Sequence, residues 1–377
     1  MSLLKQIKNP KLTIAAILSN IIVGFWLFTN DINLSQSLSF LSGKWSPWQS
    51  FIINPSQLLL FGLLIFLGFK NQQLKNPILI ISLILGGYFI LQNQAPTLTL
   101  VIVINILLLH LKNFLPGISR KLITGLILSQ ITIAFLQFLL QSDLGLQFLS
   151  EPEIATTIKG IAKLGFENGL TMIRSYGTFD HPNILAGFLC ISFLASEFFN
   201  KSSRLAIIIG LILPLSRAII ILPAILIAQH RNNIQKNLKI ISLILLIVLF
   251  VFSFRSFSFH TTQSNQERLS EITETTDKER PWQITPIHIG YLELWQKNPI
   301  MSIFWLISLG LFFYRIRQEK MEAKNWPLIG YLALGCFDHY LFTLPIGNFL
   351  LLLALTFEPS NSIPLSHPLG LHEQQGQ

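Results

Sequence analysis

Apolar positions along this chain are gathered into long runs, and short charged clusters separate the runs. Leu12 to Leu27, Pro77 to Leu91, Ala95 to Leu109 and Leu122 to Leu140 each hold roughly 15 to 20 residues with no formal charge, long enough to span hydrocarbon. A soluble core shows shorter, amphipathic periods. The pattern predicts an all-α, polytopic integral membrane protein. Lys5, Lys8 and Lys11 precede the first run, as in a signal peptide, but the bulky Phe25-Trp26-Leu27-Phe28 stands where a small-residue cleavage site would. We read a retained anchor helix.

Short loops rich in Lys and Arg mark the cytoplasmic side of a membrane protein. Placing the N-terminus, Lys70 with Lys75, Lys112 with Arg120 and Lys121, Lys201 with Arg204, and the basic stretches 231–239 and 315–324 inside gives one consistent path. Spans then fall near 12–28, 51–69, 77–91, 95–111, 122–140, 184–199, 240–253 and 300–314. Leu205 to Gln229 is flanked by basic clusters on both sides, yet two full spans need about 40 residues. Two short helices meeting at Pro214-Leu215-Ser216-Arg217 satisfy both flanks, and such breaks are tolerated where they line a protein cavity. The last apolar stretch, 327–357, is interrupted by Asp338-His339-Tyr340 and forms a second such pair. The result is about twelve transmembrane segments in one domain, residues 1–357. Two longer external loops, 141–183 and 254–299, leave the membrane, and a polar, Pro-bearing tail, 358–377, is expected to be disordered.

Composition agrees. Of 377 residues, 51% are apolar and 12% charged, against about 25% charged in an ordinary soluble domain. The net charge of +9 could suggest nucleic acid, but Lys and Arg recur in clusters between apolar runs and form no continuous basic face. Acidic residues outnumber basic ones in the segments placed outside. The two cysteines, Cys190 and Cys336, imply no disulfide framework. A Gly-rich phosphate loop, a nucleophile elbow and a paired-cysteine motif are all missing from the sequence, so cytoplasmic ATP chemistry is unsupported. No ligand spacing resembles a zinc or di-iron motif, and neither a metal nor another cofactor is expected.

Four polar clusters stand out against this background. Arg217 lies between two apolar half-helices; a charge at depth in a bilayer costs a few kcal/mol, about 2.5–3.5 even on lenient scales, and so marks function. Arg also matches phosphate oxygens in shape, while a structural pair with Asp338 is the competing role. The segment from Arg174 to Phe188 places Gly177 and Pro182 in a turn and offers Asn183 as the cap of the next helix. Arg174 and His181 then sit beside the membrane surface, where a lone Arg serves equally as a headgroup anchor. In the second external loop, Trp282, Tyr291 and Trp295 read as interfacial anchors that hold His288 near the headgroup plane. A histidine there is suited to proton transfer near neutral pH, although one interfacial histidine among eight is unremarkable by itself. Asp338 and His339 form the last cluster, a floor that could be shared with Arg217.

Together these clusters resemble the membrane superfamily of O-antigen ligases, O-antigen polymerases and related oligosaccharide transferases. The resemblance covers residues 143–343. It runs through Asp143-Leu-Gly-Leu, Arg174, Gly177-Thr-Phe-Asp-His-Pro-Asn183-Ile-Leu-Ala, Ser216-Arg217-Ala218, Glu267-Arg268, Pro286-Ile-His288 and Asp338-His-Tyr-Leu-Phe-Thr343. It implies a metal-independent, inverting glycosyltransferase in the cytoplasmic membrane with its active face outside. The donor would be a glycan on undecaprenyl pyrophosphate and the acceptor a saccharide or other hydroxyl. Arg217 and Arg268, supported by Arg174, would hold the leaving pyrophosphate, and His288 would be the general base. Ser216, Gly177, His181, Asn183, Asp338 and His339 would support them. Where the family follows its histidine with Asn and a small-residue helix, this chain has Ile289 and Gly290. Two other functions fit the same residues: a transporter or flippase for a lipid-linked or anionic substrate, and a non-catalytic relative that binds the glycan carrier.

Overall fold

The computed structural model describes residues 10–33, 52–92, 95–158, 161–166, 171–195, 200–229, 234–256, 298–318, 325–336 and 340–356, with Tyr291, Leu294 and Trp295. They are mostly helical. Helices α1 (Pro10–Trp26), α2 (Pro55–Lys70), α3 (Pro77–Leu91), α4 (Pro96–Leu111) and α5 (Arg120–Leu140) come first, followed by α6 (Pro182–Leu194), α7 (Lys201–Gly210), α8 (Ile221–Gln229) and α9 (Ile234–Ser256). Helices α10 (Pro299–Gln318), α11 (Trp326–Leu334), α12 (Tyr340–Thr343) and α13 (Ile346–Thr356) complete the set. Proline occupies the first turn of α2, α3, α4, α6 and α11, where its missing N–H costs nothing and its fixed φ suits the helix. Asn54 and Asn76 cap α2 and α3 by accepting from the Ser56 and Ile78 amides at 2.9 and 3.0 Å.

The interruption expected at Pro214 to Arg217 is present, whereas the one expected at Asp338-His339 lies outside the described residues. Between α7 and α8 the chain turns through 211–216 into a single 3-10 turn, Arg217–Ile220. The last apolar stretch is divided among α11, α12 and α13, with Asp338 and His339 outside the described residues. Most of the loop 254–299, including Arg268 and His288, and the tail 358–377 also lie outside them. Two short antiparallel pairings were not foreseen: β1 (Ile32–Asn33) with β2 (Ile52–Ile53), and β3 (Lys163–Gly165) with β4 (Thr171–Ile173). Strands of two or three residues are too short for apolar alternation to register in a sequence.

Helix α4 is the axis of the fold. Every residue from Pro96 to Leu111 is buried, and α2, α3, α10, α12 and α13 surround it. One polar chain crosses this apolar centre. Gln57 Nε2 on α2 donates to Asn348 Oδ1 on α13 at 2.7 Å, and Asn348 Nδ2 donates to Asn105 Oδ1 and to the Val101 carbonyl, both at 2.8 Å. Asn105 Nδ2 donates to the Tyr331 hydroxyl of α11 at 3.2 Å. A buried amide finds water nowhere, so these bonds specify which helices meet and at what height.

The outer surface is apolar as well. On α1, Ala15, Ile22, Val23 and Trp26 are buried while Ile14, Ile17, Ile21 and Phe25 are exposed, and α2, α3, α5, α9 and α10 show large exposed apolar side chains too. By length and composition Pro96–Phe114 and Arg120–Leu140 are long enough to cross a membrane; the apolar portions of the other helices run to 10–17 residues among the described ones.

We predict that Asn348→Leu, which strips partners from Gln57, Asn105 and Val101, lowers the stability of the purified protein. The expected loss is about 1–3 kcal/mol, the cost of leaving buried groups unpaired. Thermal unfolding is the measurement, and an unchanged midpoint would show that the polar chain contributes nothing to the fold.

Candidate functional site

The segment 173–181 carries the chain from β4 to α6, and its backbone has almost no regular partners. Glutamines of α5 supply them. Gln141 Oε1 accepts from the Ile173 amide at 2.6 Å. Gln137 Oε1 accepts from the Tyr176 and Gly177 amides at 3.0 and 2.8 Å, while its Nε2 donates to the Gly177 carbonyl at 2.8 Å. Gln130 Oε1 accepts from the Thr178 amide and its Nε2 donates to Thr178 Oγ1, each at 2.9 Å. Gln130 and Gln137 recur at helical spacing on one face of α5, Gln141 follows as its left-handed C-terminal cap, and each primary amide imitates a peptide group. Gly177 is required where it stands: its φ is +65°, and a Cβ there would meet Gln130 Oε1 at 2.5 Å.

Two carboxylates fold the preceding loop. Glu151 accepts from the Leu144 and Leu146 amides at 2.8 and 2.7 Å and from Gln137 Nε2 at 2.8 Å. Asp143 accepts from the Gly145 and Ile154 amides, both at 3.1 Å. Asp143, part of the string that carries the family resemblance, thus has a structural task.

The cationic cluster forms where this segment meets the break before α8. Arg174 is 5% exposed. Its Nε donates to the Pro214 carbonyl at 2.9 Å and its Nη2 to Asn183 Oδ1 at 2.7 Å. Ser216 Oγ donates to the same Asn183 oxygen at 3.0 Å and caps the turn Arg217–Ile220 by accepting from the Ala218 amide at 3.3 Å. Leu215 is held at a φ of +43°, a left-handed conformation that costs a bulky residue about 1–2 kcal/mol, and the next residue, Ser216, reaches Asn183. Arg217 is half-buried and begins the 3-10 turn. Arg174, Asn183 and Ser216 are therefore in direct contact, with Arg217 one residue further along the chain.

One expected role is corrected. Asn183 is not the cap of α6. Pro182 takes the first helical position, so the cap falls on His181, whose Nδ1 accepts from the Asn183 amide at 3.2 Å. Asn183 is thereby released to accept from Arg174 and Ser216. His181 is half-buried, with its ring edge-on to Tyr176 at 6.3 Å. Burial pushes the Tyr176 phenol above its ordinary pKa, opposed by the hydrogen bond from the Ala162 amide and by the Arg174 charge. Arg268, His288, Asp338 and His339 lie outside the described residues, and their relation to this cluster is not placed.

On the other side of the same segment is an open cleft with about 430 Å³ of free space, its mouth included. Asp31, Asp180, Asn54 and Ser150 line it, with Trp26 and Phe179 among its apolar walls. Asn54 positions Asp31, donating to Asp31 Oδ1 at 2.9 Å and to the Thr29 carbonyl at 3.0 Å. Asp180 immediately precedes the α6 cap. Surrounding protein raises the pKa of Asp31 to about 7, with the Asp180 charge adding to the rise and the Asn54 hydrogen bond opposing it; burial raises Asp180 as well. Both side chains keep exposed surface at the mouth. Water reaching them blunts the first cause, and the mutual repulsion of two carboxylates persists. Asp31 was not singled out from the sequence; Asp180 stood inside a recognised string without a role.

Among the described residues no group of three or more metal-ligating side chains is found. No family model, curated protein or solved structure matches the chain.

Gln137→Leu is predicted to loosen the segment 173–178. Hydrogen exchange of the Tyr176 and Gly177 amides should accelerate by on the order of tenfold, the equivalent of one net hydrogen bond. Unchanged protection would mean that something other than α5 holds this backbone.

Proposed function

We propose that this protein is a multi-pass glycosyltransferase of the cytoplasmic membrane, with its N-terminus in the cytoplasm and its active face outside. It transfers a glycan from undecaprenyl pyrophosphate to a saccharide or other hydroxyl acceptor during cell-surface polysaccharide assembly. Apolar side chains exposed on so many helices support the membrane location, since soluble monomers rarely show contiguous apolar patches beyond a few hundred Å².

The observation that carries the reading is the junction of Arg174, Asn183 and Ser216 beside Arg217. It brings two arginines to the start of one helix and to a break between two others, a setting where fixed cations meet a phosphate-bearing lipid. In the proposed reaction the acceptor oxygen attacks the anomeric carbon as the bond to the pyrophosphate oxygen breaks, inverting the centre. Arg217, Arg268 and Arg174 stabilise the leaving pyrophosphate. His288 takes the acceptor proton. Chemistry of this kind needs charge stabilisation in a cavity poor in water, which broken helices provide.

The same break suits a transporter that binds an anionic headgroup, and one experiment separates the two functions. In the native host at matched membrane abundance, Arg217→Ala and His288→Ala should each lower polymer by on the order of 100-fold and accumulate lipid-linked precursor. Loss with Arg217→Ala but not with His288→Ala assigns carrier binding or movement in place of transfer.

A further inference from the structure

Three features stand outside the proposed donor site: the polar chain across α4, the exposed apolar face of α1, and the cleft between Asp31 and Asp180. The polar chain is closed to solvent, with Gln57 Oε1 left without a partner among the described residues, and the apolar face is what lipid contact requires. The cleft is different. It is open, it is polar, and its groups are incompletely used.

We propose that this cleft is the acceptor-binding subsite, holding the hydroxyls of one saccharide unit between Asp31 and Asp180. The assignment rests on the transferase reading and gives its acceptor a place. Asp180 accepts no hydrogen bond from any described residue. The Ser150 oxygen, in the same lining, is shut away from bulk solvent without a hydrogen-bond partner among the described residues. Asp31 and Asp180 offer acceptors at the open mouth, and the exposed Asn30 amide in the same lining offers both donor and acceptor. Saccharide hydroxyls, each able to give and to receive, match such a mixed lining better than an anion, which two carboxylates repel, or an alkyl chain, which cannot satisfy them.

Position favours a saccharide as well. Asp180 is three residues from Asn183, the shared partner of Arg174 and Ser216. One short segment, held by the glutamines of α5, thus presents cations on one side and carboxylates on the other. A donor whose pyrophosphate lies on the cationic side has its anomeric carbon near the start of α6, and the acceptor must approach from beside it. Asp31 arrives on a different element, braced by Asn54 and by the pairing of β1 with β2, so the two carboxylates enclose the space from opposite parts of the chain.

The test is saturation-transfer NMR on the purified full chain with the methyl glycosides of glucose, galactose, mannose, rhamnose and N-acetylglucosamine. At least one glycoside should receive saturation from the wild type, and the signal should fall at least tenfold in Asp180→Asn and in Asp31→Asn. These near-isosteric variants are compared at matched thermal unfolding midpoints; if either is unstable, Asn30→Ala supplies the comparison. Binding by none of the five glycosides, or binding indifferent to all these changes, overturns the proposal. So does terbium luminescence that saturates in the wild type and vanishes in both aspartate variants, which assigns a cation site. The readout is binding, so it fails independently of the transfer assay. Glycoside binding lost with the aspartates, beside silent Arg217 and His288 variants in the host, would keep the subsite and remove the transferase.

Discussion

Everything that can act at this surface depends on how an irregular backbone is satisfied beside apolar helices. Peptide groups that lie in neither helix nor sheet need partners, and the segment 173–178 finds them in Gln130, Gln137 and Gln141 rather than in water or a sheet. The cost is a face of α5 given over to backbone partners. The gain is a loop whose amides are fixed to a rigid helix, so that Arg174 at one end and Asp180 at the other are held by the same support. Functional side chains on an otherwise unsupported loop would wander by more than the reach of a hydrogen bond.

The break before α8 makes a matching contribution from the other direction. Its turn ends at a left-handed Leu215 and delivers Ser216 to Asn183. Neither half of the cluster is complete without the other. The loop brings Arg174 and Asn183, and the break brings Ser216 and Arg217, so the cluster belongs to the contact between them.

How much of this could be read in advance varied with the physics involved. Helix starts were legible because proline and its preceding cap residue act locally, although the cap of α6 was placed two residues late by overlooking that Pro182 takes the first helical position. The interruption at Pro214 to Arg217 was legible from charge parity, a constraint imposed by the surroundings on the whole chain. Ser216 and Asn183 stood in recognised strings, but the hydrogen bonds that Arg174 and Ser216 both give to the Asn183 oxygen join two segments and leave no local trace. The glutamines left a trace that passed unused: three amides at helical spacing in an apolar run, where each must find a partner. Asp31 left none, because its significance comes from facing Asp180 across the fold.

The centre of the molecule has a consequence for the order in which it is made. Asn105 on α4 is bonded to Asn348, 243 residues further on. Ribosomes add about 5–20 residues each second, so that amide waits on the order of tens of seconds for its mate to be synthesised. During the interval α4, which ends with no outward face at all, is complete but unenclosed. The final apolar stretch is therefore the keystone of biogenesis. A nascent chain stalled before it leaves an asparagine stranded among apolar side chains without its mate, a mark that distinguishes an unfinished copy from a finished one.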